Sequence, residues 1–336
     1  MTIGELETAA FWAAKGWMAP WLREVDDAYW REIIPIIGEN FIGSKWREVI
    51  ATEAGQQKFR DQLVVRISQA TEVFIPWLEQ ALNLQDARVL EIGSGSGSCT
   101  VALARAGAKV TAVDIKGQSL AIARKRLSLL GYQAAMQEVE LDWLQKEVDL
   151  APFSGPYDLI VCYAVLEHLL VPERLNLLAM CRQIMQRDGA AFAIYETPNR
   201  LSPFDWHSSK LPFLDILPDD LAFEYASKRT SRSNHPARRR NRPANAIATL
   251  YRFGRGASWH EFDLAFGMEN LEIVLDSYAP KAKNQRHYQS NAAFEAALAE
   301  ILANLDPPVP RGFCRPSLEM VMRLRAPSRV AEIAPD

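Results

Sequence analysis

Ala87-Arg88-Val89-Leu90-Glu91-Ile92-Gly93-Ser94-Gly95-Ser96-Gly97 opens the stretch that decides the fold, and Lys109-Val110-Thr111-Ala112-Val113-Asp114-Ile115 closes it. Ala87–Ile92 is a short, nearly continuous apolar run, as a strand buried on both faces requires. Gly93, Gly95 and Gly97 then interrupt it, supplying residues that tolerate positive φ and let a ligand approach the backbone. Thr100–Ala106 reads as a helix that closes at Gly107, and Lys109–Asp114 as a second strand. Strand, glycine turn, helix and strand in this order predict a parallel βαβ unit with a right-handed crossover.

The same rhythm continues beyond the opening stretch. Gln118–Leu130 is a predicted helix, and a third strand is expected within Ala134–Leu141. Tyr157–Tyr163 is a fourth strand, Pro172–Arg187 a helix, and Gly189–Tyr195 a fifth strand. Leu271–Tyr278 and Leu318–Leu324 read as two further strands, with Trp259–Phe266 helical before them. The expected class is α/β: a doubly wound, Rossmann-like sheet, mostly parallel with one antiparallel strand. The expected organisation is an N-terminal helical cap over 1–85, a cofactor-binding core over 86–196 and an insertion over 197–257. A C-terminal part of the sheet domain with its own insertion follows over 258–326, and a tail over 327–336.

The turn itself carries chemistry. Its glycine spacing is G-x-G-x-G, unlike the G-x-G-x-x-G of dinucleotide sites, and Glu91 sits two positions before the first glycine. A carboxylate there is ill-suited to a pyrophosphate but suits a cofactor bearing an ammonium and a sulfonium. Asp114, at the end of the second strand, can accept hydrogen bonds from the two hydroxyls of an adenosine ribose. Dehydrogenases use the same device, so Asp114 alone marks adenosine without choosing the cofactor. Asp142 and Trp143, after the third strand, are expected to accept the adenine amine and to stack on its ring.

These segments, with Val165-Leu166-Glu167-His168-Leu169 after the fourth strand, resemble in order the motifs of class I methyltransferases. The resemblance covers residues 86–196 and implies S-adenosyl-L-methionine as cofactor. The contact set it implies is Glu91, Gly93, Ser94, Gly95, Gly97, Asp114, Ile115, Asp142, Trp143 and Tyr163. It further implies an enzyme that transfers a methyl group in line, mainly by holding the acceptor against the sulfonium. The candidate proton acceptors are His168, just past the fourth strand, and His207, in Asp205-Trp206-His207-Ser208-Ser209. Tyr195 and Glu196 end the fifth strand near the same edge.

Composition bounds the partners. The chain has 336 residues, 49% hydrophobic and 24% charged, with a net charge of −3, so nothing global drives it to nucleic acid. Met1–Ala10 has no basic leader, and Leu159–Val171 is too short and too interrupted to span a bilayer, so a cytoplasmic protein is expected. Cys99, Cys162, Cys181 and Cys314 form no CxxC pair, and the five histidines show no ligand spacing, so neither a disulfide framework nor a metal is expected.

The expected partner is a small-molecule methyl acceptor, with no membrane and no nucleic acid, and with a homodimer left open. RNA or protein methylation and a non-catalytic cofactor-binding role are the alternatives. Trp12, Trp17, Trp21, Trp30 and Trp46 crowd the first 46 residues, either as packing for the cap or as the lining of an acceptor pocket. Lys228, Arg229, Arg232, Arg238, Arg239, Arg240 and Arg242, with Pro236 and Pro243 among them, read as a solvated loop, with anion binding as the alternative.

Overall fold

A computed structural model describes residues 3–139, 150–232, 235–238, 245–277 and 291–325. The expected contacts Asp142 and Trp143 lie outside these residues, as do Arg239, Arg240, Arg242, Pro243 and the tail. The strands are β1 (Arg88–Ile92), β2 (Lys109–Asp114), β3 (Ala135–Glu138), β4 (Leu159–Tyr163), β5 (Ala191–Pro198), β6 (Leu271–Leu275) and β7 (Ser317–Leu324). They lie in one sheet in the order β3-β2-β1-β4-β5-β7-β6. β1 pairs parallel with β2 and β4, and β2 parallel with β3, whereas β7 runs antiparallel to both β5 and β6. One antiparallel strand in a doubly wound sheet is the expected class.

The described residues form two compact units. The first comprises 3–139, 155–165 and Ser277; the second comprises 150–154, the described residues of 166–276, and 291–325.

In the first unit, four of the five β1 residues are buried, as a central parallel strand demands. Its flanking helices are α1 (Ser98–Arg105) and α2 (Gly117–Leu129). The N-terminal helices pack onto them: Trp12, Trp30, Trp46, Ile33, Phe59 and Leu63 share one buried cluster with Val101, Ile122 and Leu127. The packing reading therefore holds for Trp12, Trp30 and Trp46, whose exposure is 2% or less, while Trp17 is 48% exposed. Arg126 ties the layers together, donating to Ser98 Oγ at 2.7 Å and to the Gln62 carbonyl at 3.1 Å.

In the second unit, α3 (Val171–Asp188) packs on β5, β7 and α6 (Trp259–Phe266). β5 runs three residues past its expected end, because a register shift between Ile194 and Thr197 absorbs Glu196, at φ +55°, without ending the pairing. Among the described residues, the basic run after β5 begins as a helix end and not as a loop, with Lys228 and Arg229 exposed. Lys228 and Arg229 close α4 (Asp219–Arg229), where cations favour the negative helix end, and α5 (Ala246–Arg252) follows. His235 is 1% exposed, and Arg238 donates to the Thr230 carbonyl at 3.2 Å. Arg255 braces the insertion: it is fully buried and reaches Asp215 at 3.3 Å and Asp219 at 3.0 Å. All four cysteines are buried free thiols. No helix among the described residues is long and apolar enough to cross a membrane.

Candidate functional site

The turn after β1 folds around its glycines. Gly93 and Gly97 hold φ of +74° and +79°, conformations that strain any residue with a Cβ. Each also touches a neighbour: a Cβ would lie 2.6 Å from Val165 Cγ2 at Gly93, and 2.7 Å from Ala123 Cβ at Gly97. At Gly95, by contrast, an added Cβ would meet nothing nearer than 4.0 Å, so the middle of the turn faces open space. Gly97 starts α1 without a side-chain cap, leaving the first N–H groups of that helix at the turn.

Two carboxylates frame this turn. Asp114 Oδ2 accepts the Gly95 N–H at 2.8 Å and Oδ1 accepts the Lys116 N–H at 2.9 Å. Each oxygen keeps a further lone pair for a ligand. Glu91 is 2% exposed, and its Oε2 has no hydrogen-bond partner among the described residues. Burial pushes its carboxyl up to about 7, helped by the charge of Asp114 and opposed by Thr100 and Cys99 at the start of α1. Ser94 Oγ is likewise buried without a partner among the described residues. Ile115 is 37% exposed just beyond Asp114, and the Tyr163 ring at the end of β4 lies 5.1 Å from that of Phe74.

The second unit holds the two histidines. Glu167 and His168 sit in a short 3-10 turn a few residues beyond β4. Arg252 grips the turn from the end of α5: its guanidinium donates to the His168 carbonyl at 2.9 Å and to the Glu173 carboxylate at 2.5 and 2.6 Å. Its own carbonyl stands 3.1 Å from His168 Nδ1. A carbonyl only accepts, so this bond places the proton on Nδ1 and leaves Nε2 of the neutral ring with a lone pair. The His207 ring centroid lies 6.0 Å from that of His168. Asp205 fixes the turn beneath His207, accepting the backbone N–H groups of His207 and Ser208 at 2.9 and 2.8 Å.

The histidines show no ligand spacing in the sequence, but the fold brings two of them together. Donor atoms of Glu167, His168 and His207 all lie within 4.8 Å of one another. His207 arrives through the insertion, so no local spacing could reveal the cluster.

Comparison with known proteins gives the family. The methyltransferase-domain family matches residues 89–189. A ubiquinone biosynthesis O-methyltransferase of Aromatoleum aromaticum is 30% identical over 206 residues, 61% of this chain and 74% of that protein. Its counterpart from Azotobacter vinelandii is 30% identical over 217 residues, 64% of this chain and 77% of that protein. The chain belongs to the class I S-adenosylmethionine-dependent methyltransferases. Among solved structures, magnesium protoporphyrin IX methyltransferase from Synechocystis is 23% identical, covers 50% of this chain and 72% of that one, and gives a TM-score of 0.35.

The methyltransferase fits its cofactor chemically. The buried Glu91 Oε2 needs a cationic or hydrogen-bonding partner, which the ammonium of S-adenosylmethionine offers, and the open face at Gly95 leaves room for a ligand beside Asp114. One residue escaped the sequence reading: Glu138 ends β3 opposite Asp114 and accepts the Gly117 N–H at 3.0 Å, pinning the start of α2. A carboxylate at a strand's carboxyl end was its only signal.

Proposed function

We propose that this methyltransferase methylates a hydroxyl oxygen of a small molecule. The carrying observation is its 30% identity, over 206 residues, to an enzyme named as an O-methyltransferase of ubiquinone biosynthesis. Bound S-adenosylmethionine supplies an electrophilic methyl on a sulfonium.

Glu91 takes the cofactor's ammonium, giving up its proton as it does so. Asp114 and Ile115 hold the ribose edge, and Gly93, Ser94, Gly95 and Gly97 supply backbone and hydroxyl contacts. Tyr163 flanks the methionine side, and Asp142 and Trp143 are assigned the adenine from sequence alone. The core over 86–196 carries these contacts, and the insertion over 197–257 covers the acceptor. A neutral hydroxyl is a weak nucleophile, so its proton must leave as the oxygen attacks. His168 Nε2, with its lone pair fixed by the bond from Nδ1 to Arg252, accepts that proton, and His207 supports it.

The test offers the purified enzyme labelled cofactor with three separate pools: bacterial small-molecule extract, total RNA and denatured cell protein. Label in a hydroxyl-bearing metabolite, heavier by one CH₂, is the expected result. Label confined to RNA or protein overturns the reading.

A further inference from the structure

We infer that Glu167, His168 and His207 form a binding site for one divalent transition-metal ion, of which Zn²⁺ is the probe. Their donor atoms lie within 4.8 Å of one another, and His168 Nε2 is 3.9 Å from Glu167 Oε1. Ligands of a tetrahedral ion with bonds of about 2.0–2.1 Å stand roughly 3.4 Å apart, so closing the site needs side-chain rotations of an ångström or so. The His168 side chain is 46% exposed, whereas that of Glu167 is fully buried.

Two further features support a metal. A metal-binding imidazole characteristically donates its other nitrogen's proton to a carbonyl or carboxylate, which orients the ring and raises its basicity. His168 does this through Nδ1 to Arg252, and Arg252 is itself locked to the His168 carbonyl and to Glu173. Gly254, at φ +123°, lies directly against the His207 ring, and a Cβ there would overlap Cδ2 and Nε2. Only glycine lets the backbone run so close to that imidazole.

Two imidazoles and one carboxylate select the class of ion. Mg²⁺ and Ca²⁺ prefer all-oxygen shells, whereas Zn²⁺, Fe²⁺ and Co²⁺ suit nitrogen-rich ones. Three protein donors leave at least one coordination position for an oxygen from water or from the acceptor. This last use deepens the O-methylation reading and rests on it, with His168 Nε2 then holding the ion in place of accepting the proton directly. A hydroxyl oxygen held there would lose its proton to solvent at a lower pH, with no change of oxidation state.

The test is metal binding by the whole chain. Protein stripped with a chelator is titrated with Zn²⁺ against a fluorescent Zn²⁺ indicator, and with Mg²⁺ as the hard-ion control. Wild type should take up one Zn²⁺ per chain, undisplaced by Mg²⁺. His168→Ala and His207→Ala should each weaken it about 100-fold or more. Gly254→Ala, which keeps all three ligands but crowds His207, should weaken it about 10- to 100-fold. Retained binding of S-adenosylhomocysteine shows that each variant is folded.

Zn²⁺ bound no more tightly by wild type than by a His168→Ala/His207→Ala double variant overturns the proposal. If that occurs while methyl transfer still depends on His168, the direct proton-acceptor reading stands alone. Tight, histidine-dependent Zn²⁺ with no hydroxyl methylated in any pool confirms the metal site and removes the O-methylation reading.

Discussion

Asp114 Oδ2 accepts the Gly95 N–H at 2.8 Å, which makes the strand-end carboxylate and the middle glycine of the turn one hydrogen-bonded unit. Asp114 therefore shapes the turn, and in the proposed site it also takes the ribose hydroxyls. Asp114→Ala should weaken S-adenosylhomocysteine binding about 100-fold or more, the sum of two charge-assisted hydrogen bonds at roughly 1.5–3 kcal/mol each. Asp114→Asn can still accept from Gly95 and should fall between. Titration calorimetry measures both, and normal binding by Asp114→Ala would displace the ribose from this carboxylate.

Glu91 makes cofactor affinity depend on pH. Its carboxyl is held up to about 7, chiefly by burial, yet must be ionised to meet an ammonium. Below pH 7, binding releases a proton, so affinity should fall about tenfold per unit of acidification. Above about pH 8 the ammonium itself begins to lose its proton, and affinity should fall again. Calorimetry in two buffers of different ionisation enthalpy reads the released proton directly.

The same carboxyl limits the stability of the ligand-free protein. Its folded value is raised, so the penalty is absent below the usual carboxylate range and complete above about pH 7. Glu91→Gln should stabilise the ligand-free fold at pH 8 by up to about 3 kcal/mol, read as a higher melting temperature, with little gain at pH 4.5. It should bind the cofactor poorly. A variant no more stable than wild type at pH 8 would contradict this account.

Arg255 is the counter-charge of the insertion. Burial, with Asp205 nearby, pushes Asp215 up to about 7, and Arg255 opposes that shift. Arg255→Met leaves Asp215 and Asp219 without this cation and should cost about 3–5 kcal/mol. The loss should be greatest above pH 7, where Asp215 is ionised, and smaller at pH 6. Melting curves at both values decide it.

The cap tryptophans should divide by burial. Trp30, wholly buried in the cluster that joins the cap to α2, should cost about 3–5 kcal/mol as Trp30→Ala. Trp17, 48% exposed, should cost no more than about 0.5 kcal/mol as Trp17→Ala. A large rise in acceptor KM in Trp17→Ala, with stability kept, would assign that ring to acceptor binding.

Much of the fold is legible in the sequence because apolar runs alternate with helical periods, and glycines such as Gly93 and Gly97 mark a turn only they can make. Asp114 is legible for the same reason, as an acidic residue ending a strand beside that turn. Its bond to Gly95 is not, since hydrogen bonding within a turn depends on backbone angles. The triad of Glu167, His168 and His207 is hidden more deeply. A 3-10 turn beyond β4 supplies two members, and the third comes from an insertion after β5 whose path no periodicity encodes. The start of the basic run is not legible because charge alone does not distinguish a solvated loop from an exposed helix end carrying Lys228 and Arg229.

Cofactor choice tests the central claim most directly. Calorimetry of the purified chain with S-adenosylmethionine, S-adenosylhomocysteine and NAD should show one-to-one binding of both adenosyl-sulfur compounds and none of NAD. Binding of NAD, with neither sulfur compound bound, would contradict it.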